Sequence, residues 1–532
     1  MKLNRKISLI IIICMVFLQV GCIGKEEKTY IRVAHPTAYI SLDPQENTKA
    51  ENGSIISHLF EGLVRVVDGK IVPGIAENYE ISTDKLTYIF HLRDSRWSDF
   101  KKLNAEDFKY SWLRAIEPGK DFIYANYFFP IKNAEEYYKG NVSEEEVGIK
   151  ITDPYTLEIS LEEPTPWFLE TLSYWFFMPV KKDIVEQFPF GAWALDSENC
   201  ICNGPFKLLS REAGKLINLV PNENYWQADK ISLTAIQYAI ETDPLKALER
   251  YEAGEMDLVI KFPEDRIPSL QKDNLEYHDY SSYSTMSIAF NLNRDNLIKD
   301  MDFRKAIIYS VNRGILESKT FEKYYVGTDT VVPFGLLDYN DNPFFKKTGN
   351  HKLVWDDSEL DNSKQIINKY KEENKTIPTL KFIVENNTQQ ISIAEEIKKM
   401  LEYNLGVLVE IQIDVTINID KIKQSGDYDI CFFENKHIEK DPYRYLEVFK
   451  KGNFENIFGY SDESFDELLN ESIKQGGMLR YQTLYQADEL LMSKFFLLPL
   501  YSDKEGILIK GDIRGYTRNR IGDIFFGRAF RQ

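Results

Sequence analysis

Residues 379–385 carry the apolar pattern of a strand, residues 391–405 repeat apolar side chains at helical spacing, and residues 407–413 return to the strand pattern. A strand–helix–strand unit of this length forces its two strands to lie parallel, joined by a crossover helix. That requirement places the chain in the α/β class. The rest of the chain agrees with it. Residues 30–34 read as an opening strand, 53–63 as a helix with Ile55, Ile56, Leu59 and Phe60 on one face, and 86–93 as a strand. Asn104 precedes a helix that carries Phe108, Trp112 and Ile116, and Asp153-Pro154 breaks residues 147–161 into a hairpin. Further helices are expected at 243–253, 304–312, 465–473 and 481–494, with a short strand at 257–260. The 532 residues suit three or four domain-sized units. No repeat, low-complexity tract or Pro/Ser-rich linker separates them, so the units are expected to share chain crossings.

The N-terminus fixes the expected compartment. Lys2, Arg5 and Lys6 precede an apolar run, residues 7–20, and then Gly21-Cys22. This is the layout of a secretory signal, and the run is short of the ~20 residues that span a bilayer as a helix. A cysteine directly after a small residue marks the signal as that of a bacterial lipoprotein, with Cys22 as the lipidated new N-terminus. Gln19 stands where such signals usually carry Leu, which leaves an uncleaved anchor or plain secretion as alternatives. Residues 1–21 are thus expected to be the signal and 22–28 a charged tether. The mature protein would be extracytoplasmic and anchored to the cell membrane by its lipid. Loss of the signal takes the formal charge from −18 to −21.

That acidity disfavours nucleic acid as a partner, because phosphate backbones would be repelled. At 13% aromatic, the chain has ample material for packed cores and is not disordered. Among the five cysteines, Cys14 leaves with the signal. Cys200, Cys202 and Cys431 read as buried thiols, since Cys200 and Cys202 sit too close for an easy mutual disulfide. The chain contains no G-x-S-x-G elbow, H-E-x-x-H helix, P-loop or G-x-G-x-x-G turn. The six histidines are scattered and read as surface or packing residues; acidic pairs such as Glu395-Glu396 read as solvated faces. No catalytic residue, metal site or cofactor is expected. A carboxylate-pair glycosidase, which needs no local motif, is the residual enzymatic alternative.

An ordered series of segments is more specific. Leu59-Phe60-Glu61-Gly62-Leu63 leads to Pro73-Gly74-Ile75-Ala76-Glu77-Asn78-Tyr79, then Thr87-Tyr88-Ile89-Phe90-His91-Leu92-Arg93-Asp94 and Arg96-Trp97-Ser98-Asp99. Asn203-Gly204-Pro205-Phe206, Tyr251-Glu252-Ala253-Gly254-Glu255-Met256-Asp257, residues 302–313 and Leu498-Pro499-Leu500-Tyr501 follow in order. The series resembles the oligopeptide/dipeptide-binding lipoproteins of ABC importers, solute-binding protein family 5, from about residue 30 to 530. The glycines serve turns and the aromatics fill cores, so these motifs speak for a fold more than for ligand contacts.

The resemblance implies a two-lobed periplasmic-binding-protein-like fold of type II with an additional inserted α/β domain. Lobe 1 would comprise residues 29–61, 195–283 and 499–532, the inserted domain 62–194, and lobe 2 284–498. Ligand would lie between lobes that close about crossings near 283 and 498. Relatives hold an extended peptide through its backbone like an added strand. Carried over by position, Ala50, Glu51 and Asn52 form a contact rim, and Tyr124 matches a ligand-facing tyrosine. Gly426-Asp427-Tyr428-Asp429-Ile430 resembles a G-x-F-D-V strand that in relatives runs into W-x-A-D-Y-x-x-P, whose Asp pairs with the peptide ammonium. Counted back from Pro442, Asn435 takes the Trp place and Ile438 the Asp place, so neither family role is supplied there. Glu439 would serve with a one-residue shift in register, the alternative being a solvated loop acid. Lys423, Phe432 and Glu434 complete the expected cleft positions. The function implied is capture of oligopeptides for an ABC permease and ATPase by a monomeric, non-enzymatic lipoprotein. A non-peptide solute, or a sensory or adhesive surface lipoprotein of the same fold, are the alternatives.

Overall fold

The computed structural model describes residues 29–532 except 68, 189–190, 264–265, 272–274, 320–325, 345–356, 415–422, 424 and 520. The signal, Cys22 and the tether therefore lie outside the described residues. One eleven-stranded sheet runs through the molecule. Its order is Val409–Asp414, Leu380–Glu385, Ile430–Lys436, Tyr277–Phe290, Leu497–Ile509, Leu258–Val259, Tyr30–His35, Ala235–Ile240, Leu216–Pro221 and Phe206–Glu212, with Val326–Gly327 added to Leu497–Ile509. The crossover unit forms as its sequence requires: Leu380–Glu385 and Val409–Asp414 pair in parallel, linked by the helix Thr388–Leu405. Asn387 caps that helix by accepting from the Gln389 amide, and Gly406 ends it at φ 65°, a conformation open to glycine at little cost.

The 14-residue strand Tyr277–Phe290 and the 13-residue strand Leu497–Ile509 are antiparallel partners and belong to both lobes. Two apolar cores divide along them: Met286, Ile288, Leu498 and Leu500 pack into one, Ile507 and Ile509 into the other. Between the cores the pairing slips, from Ser281 opposite Lys504 to Thr285 opposite Ser502. Tyr283 stands in this bulge at φ 54°. Serine hydroxyls bridge it: Ser284 Oγ donates to Asp503 Oδ2 at 3.1 Å, and Ser502 Oγ to the Ser284 carbonyl at 2.7 Å.

The segment between Leu63 and Val185 has its own four-stranded sheet, Ala76–Ile81, Thr87–Leu92, Thr156–Ser160 and Ile149–Asp153. Its core is continuous with that of lobe 1, through Phe60, Trp112, Phe177 and Phe206. The helix Ala105–Ala115 starts at a capping box in which the Asp107 carboxylate also accepts from the Asn104 amide at 2.9 Å. Cys200, Cys202 and Cys431 are free and buried; burial pushes the Cys202 thiol up to about 12 and Cys431 up to about 11. The two ends of the described chain meet in lobe 1. Asp257 pairs with Arg32 of the first strand at 2.9 Å and with Arg531 at 2.9 Å, and Arg531 also holds Asp512 at 2.6 Å.

Candidate functional site

Between the lobes lies a cleft of about 450 Å3. Its floor is the bulge and the crossing strands, through Ser281, Ser282, Glu505, Gly506 and Ile507. The lobe-1 wall combines Ala50, Glu51 and Ser54 with the aromatics Tyr124, Tyr127, Trp175 and Phe176, and with Lys261, Arg518 and Asp523. The lobe-2 wall is a single short run, Lys436, His437, Ile438 and Lys440. A second hollow of about 310 Å3 shares Lys436 and His437 and continues along lobe 2 past Lys423, Phe433, Glu434, Asn435, Phe454 and Glu455. A third hollow, about 930 Å3, lies away from both against the helix Ala105–Ala115. Two of its cations are committed locally, Arg114 to Asp43 at 2.7 Å and Lys120 to Glu46 at 2.8 Å, and it touches only one side of the molecule, so the interlobe cleft is the better candidate.

The rim at Ala50 and Glu51 is held from behind. Asn52 is fully buried; its amide donates to Asn47 Oδ1 at 2.8 Å and its Oδ1 lies 3.0 Å from His35 Nε2 at the end of the first strand. Burial pushes the His35 imidazole down to about 4, so it is neutral at pH 7. Ala50 and Glu51 thus face the cleft and Asn52 positions them. Tyr124 lies on the cleft, stacked on Phe176 at 5.1 Å and edge-on to Trp175 at 5.0 Å. Burial raises its phenol to about 12, and it presents a flat neutral face.

Lobe 2 departs further from the positions read from sequence. Phe432 packs inward, its ring 5.1 Å from Phe382, and does not line either hollow; Phe433, the next residue on the alternating strand, lines the second one. Asn435 is buried, donating to the Tyr445 carbonyl at 2.9 Å with its Oδ1 3.0 Å from His437 Nε2, so it fixes the turn after the strand. Lys423 and Glu434 line the second hollow and not the cleft. Glu439 is turned from the cleft toward Arg444, whose Nε lies 3.3 Å from its Oε1, because Ile438 and Lys440 take the cleft side of this turn. The turn is pinned below by Asp441, which pairs with the buried Arg480 at 2.7 and 2.9 Å and caps the helix Pro442–Glu447 through the Tyr443 amide. From the opposite side, the Tyr174 hydroxyl donates to the Ile438 carbonyl at 2.9 Å.

Residues that the sequence reading did not select therefore dominate the cleft. His437, read as a surface or packing residue, sits on its wall; burial beside Arg444 and Lys440 pushes it down to about 3 and keeps it neutral. Lys440 packs its ammonium 4.8 Å from the Tyr283 ring and donates to the His437 carbonyl; burial pushes it down to about 7. Asp523 is buried and pushed up to about 7. A charged pair flanking an isoleucine, as in Lys436-His437-Ile438-Glu439-Lys440, was the signal available for Lys440. Trp175 and Asp523 had none, being brought in from remote parts of the chain.

One edge of the strand Ile430–Lys436 is taken by Tyr277–Phe290 over its whole length. On the other, Leu380–Glu385 pairs only with Ile430 and Cys431. Among the described strands, residues 432–436 keep an unpaired edge beside the second hollow.

The chain is 27% identical over 525 residues to the oligopeptide-binding protein OppA of Bacillus subtilis, covering 95% of this chain and 94% of that one. The unliganded open form of the murein tripeptide binding protein MppA overlays with a TM-score of 0.82 at 24% identity, covering 95% of this chain and 98% of that one. Listeria monocytogenes OppA bound to peptide overlays with a TM-score of 0.70 at 25% identity, covering 95% and 100%. The two-lobed α/β architecture is thus that of the periplasmic binding proteins. Among the described residues no helix is long and apolar enough to cross a membrane. Residues 70–456, well over half of the chain, match the family of bacterial extracellular solute-binding proteins, family 5 Middle, whose members carry solutes without transforming them, and the chain belongs to that family.

Proposed function

We propose that this protein captures oligopeptides between its lobes and delivers them to an ABC permease and its ATPase, as a monomeric lipoprotein held by Cys22 at the outer face of the cytoplasmic membrane or in the periplasm. The observation that carries the reading is the unpaired edge of residues 432–436, which runs along the second hollow and reaches the interlobe cleft at Lys436, in the same cleft as Ala50 and Glu51. An extended peptide laid there would satisfy its own backbone groups as an added strand, which accepts many side chains. Tyr124 and Tyr127, backed by the buried Trp175 and Phe176, offer apolar contact without demanding one sequence.

Lobe 1 (29–61, 195–283, 499–532) with its inserted domain (62–194) would close on lobe 2 (284–498) about the bulge at Tyr283. The ligand drives closure by binding the closed form more tightly than the open one. Ala50, Glu51, Tyr124, Glu434 and the 432–436 backbone are assigned to ligand contact; Asn52 and Asn435 hold the contacts in place.

Native mass spectrometry of the lipid-free mature protein, as purified from cells, tests this. A heterogeneous set of added masses that fragment as peptides is the expected result. A single non-peptide mass would move the protein to another solute class. An empty protein that also ignores a peptide library would favour a surface receptor.

A further inference from the structure

The inserted segment shares its core with lobe 1, so the two form one packed body that the crossing strands join to lobe 2. Side chains of this segment also reach lobe 2 directly. Trp167 stacks on Tyr443 with ring centroids 5.0 Å apart and packs against the lobe-2 core. Tyr174, buried in the lobe-1 core, donates its hydroxyl to the Ile438 carbonyl at 2.9 Å. Lys85, in the turn between the strands Ala76–Ile81 and Thr87–Leu92, donates its ammonium to the Gln475 carbonyl at 2.8 Å. Ile438 returns the exchange and packs its side chain against the lobe-1 core. We propose that the inserted segment is a latch: Trp167, Tyr174 and Lys85 hold lobe 2 in the approach that encloses a solute and set how fast the solute leaves.

The place of these contacts gives them that role. Trp175 and Phe176, next to Tyr174 in the chain, line the lobe-1 wall of the cleft, and Ile438 lines the lobe-2 wall. The bond from Tyr174 to Ile438 therefore ties the walls together at one end, while the crossing strands join them at the floor. Widening the cleft at that end stretches this bond, and a hydrogen bond is gone by about 3.6 Å. Trp167, Tyr174 and Lys85 line neither the cleft nor the second hollow, so they are positioning residues and not ligand contacts. Lys85 also bears a cost that a passive turn would avoid. Its backbone stands at φ 62°, the left-handed region where glycine is the easy choice, and its side chain is the part that reaches lobe 2. A contact that holds the bodies together raises the share of molecules already in the binding arrangement, and it must break before a solute escapes. This role rests on capture between the lobes, whatever the chemistry of the solute.

The test uses the lipid-free mature protein, stripped of co-purified solute, and the variants Trp167→Leu, Tyr174→Phe and Lys85→Ala. Small-angle scattering without solute should give a larger radius of gyration for the Trp167→Leu/Lys85→Ala double variant than for the wild type. Trialanine to hexaalanine serve as probes in stopped flow, read by tryptophan fluorescence. Dissociation in each single variant should be at least about threefold faster, the scale of one net hydrogen bond, with association not slowed. Trp167→Phe, which keeps a ring on Tyr443, should restore most of the wild-type rate. A residue that served only the fold would lower the melting temperature without separating the two rate constants. An unchanged radius with unchanged dissociation, or weaker binding that comes from slower association, overturns the latch and leaves capture between the lobes standing. If no alanine peptide binds, the peptide reading falls and the scattering comparison decides on the latch, an unchanged radius overturning it. Lys85 stands on a turn outside both cores, so Lys85→Ala settles the matter even if a ring variant does not fold.

Discussion

The lobe-1 wall of the cleft is assembled from six stretches of chain, near residues 36, 50, 124, 175, 260 and 520, and is backed by a packed aromatic core. The lobe-2 wall is four residues of one short run, Lys436, His437, Ile438 and Lys440, at the turn between a strand and a helix. In the proposed mode of binding the first would offer shape and apolar area backed by the core, and the second would offer its backbone on a turn held by Asp441 and Arg480. A binding protein built this way keeps a stable platform and adjusts its ligand preference on the opposite wall.

Removing part of the platform should have the largest effect. Trp175 is almost wholly buried, so Trp175→Ala should lose about 3–5 kcal/mol in urea unfolding, the usual cost of a deleted core aromatic. A loss no larger than that of a surface change would mean the platform is not part of the core. Asp441→Ala should cost about 3 kcal/mol, because it strands the buried Arg480 and removes a helix cap. Peptide binding in that variant should weaken further than stability alone accounts for, since the 436–440 turn loses its anchor; wild-type binding would break the proposed division between the walls.

Asp523 gives a smaller effect with a definite sign. Burial raises its carboxyl from 3.8 to about 7, so the folded state holds a proton that the unfolded state releases. Its contribution is full below about pH 3.8 and is lost as pH rises through 7. Asp523→Asn should therefore raise the melting temperature at pH 8 and leave it nearly unchanged at pH 4. An equal shift at both would remove the group from the linkage. The thiols sharpen the comparison most finely. Cys200 and Cys202 report on lobe 1 and Cys431 on lobe 2, all buried and weakly acidic. Pulsed alkylation through a urea series should leave all three unmodified under native conditions and then label the less stable lobe first. Simultaneous labelling would show that the lobes unfold as one.

Local signals in the sequence carried much of the fold. The Asn104 capping box, the Asp153-Pro154 turn and the strand–helix–strand at 380–414 are each decided by neighbours within a few residues. The long crossing strands were not legible as single elements, because Ser281, Ser282 and Ser284 interrupt the apolar pattern where the chain passes between two cores. The same non-locality hid Trp175, Lys261 and Asp523. The Phe432 assignment shows another limit: two adjacent phenylalanines point to opposite faces, and only the sheet decides which turns outward. Position in a matched motif placed Ala50, Glu51 and Tyr124 on the cleft but could not foresee that Glu439 would turn to Arg444.

The ion pairs that tie Arg32 and Arg531 to Asp257 also order events in time. Residues belonging to the lobe-2 core run without interruption from Met286 to Tyr501, so that core can assemble as soon as its stretch of chain is free. In lobe 1 the first strand already finds its partners at residues 235–240 and 258–259, and Arg531 adds its ion pair to Asp257 only after the whole lobe-2 stretch has been made, so this fastening of lobe 1 comes later than the lobe-2 core.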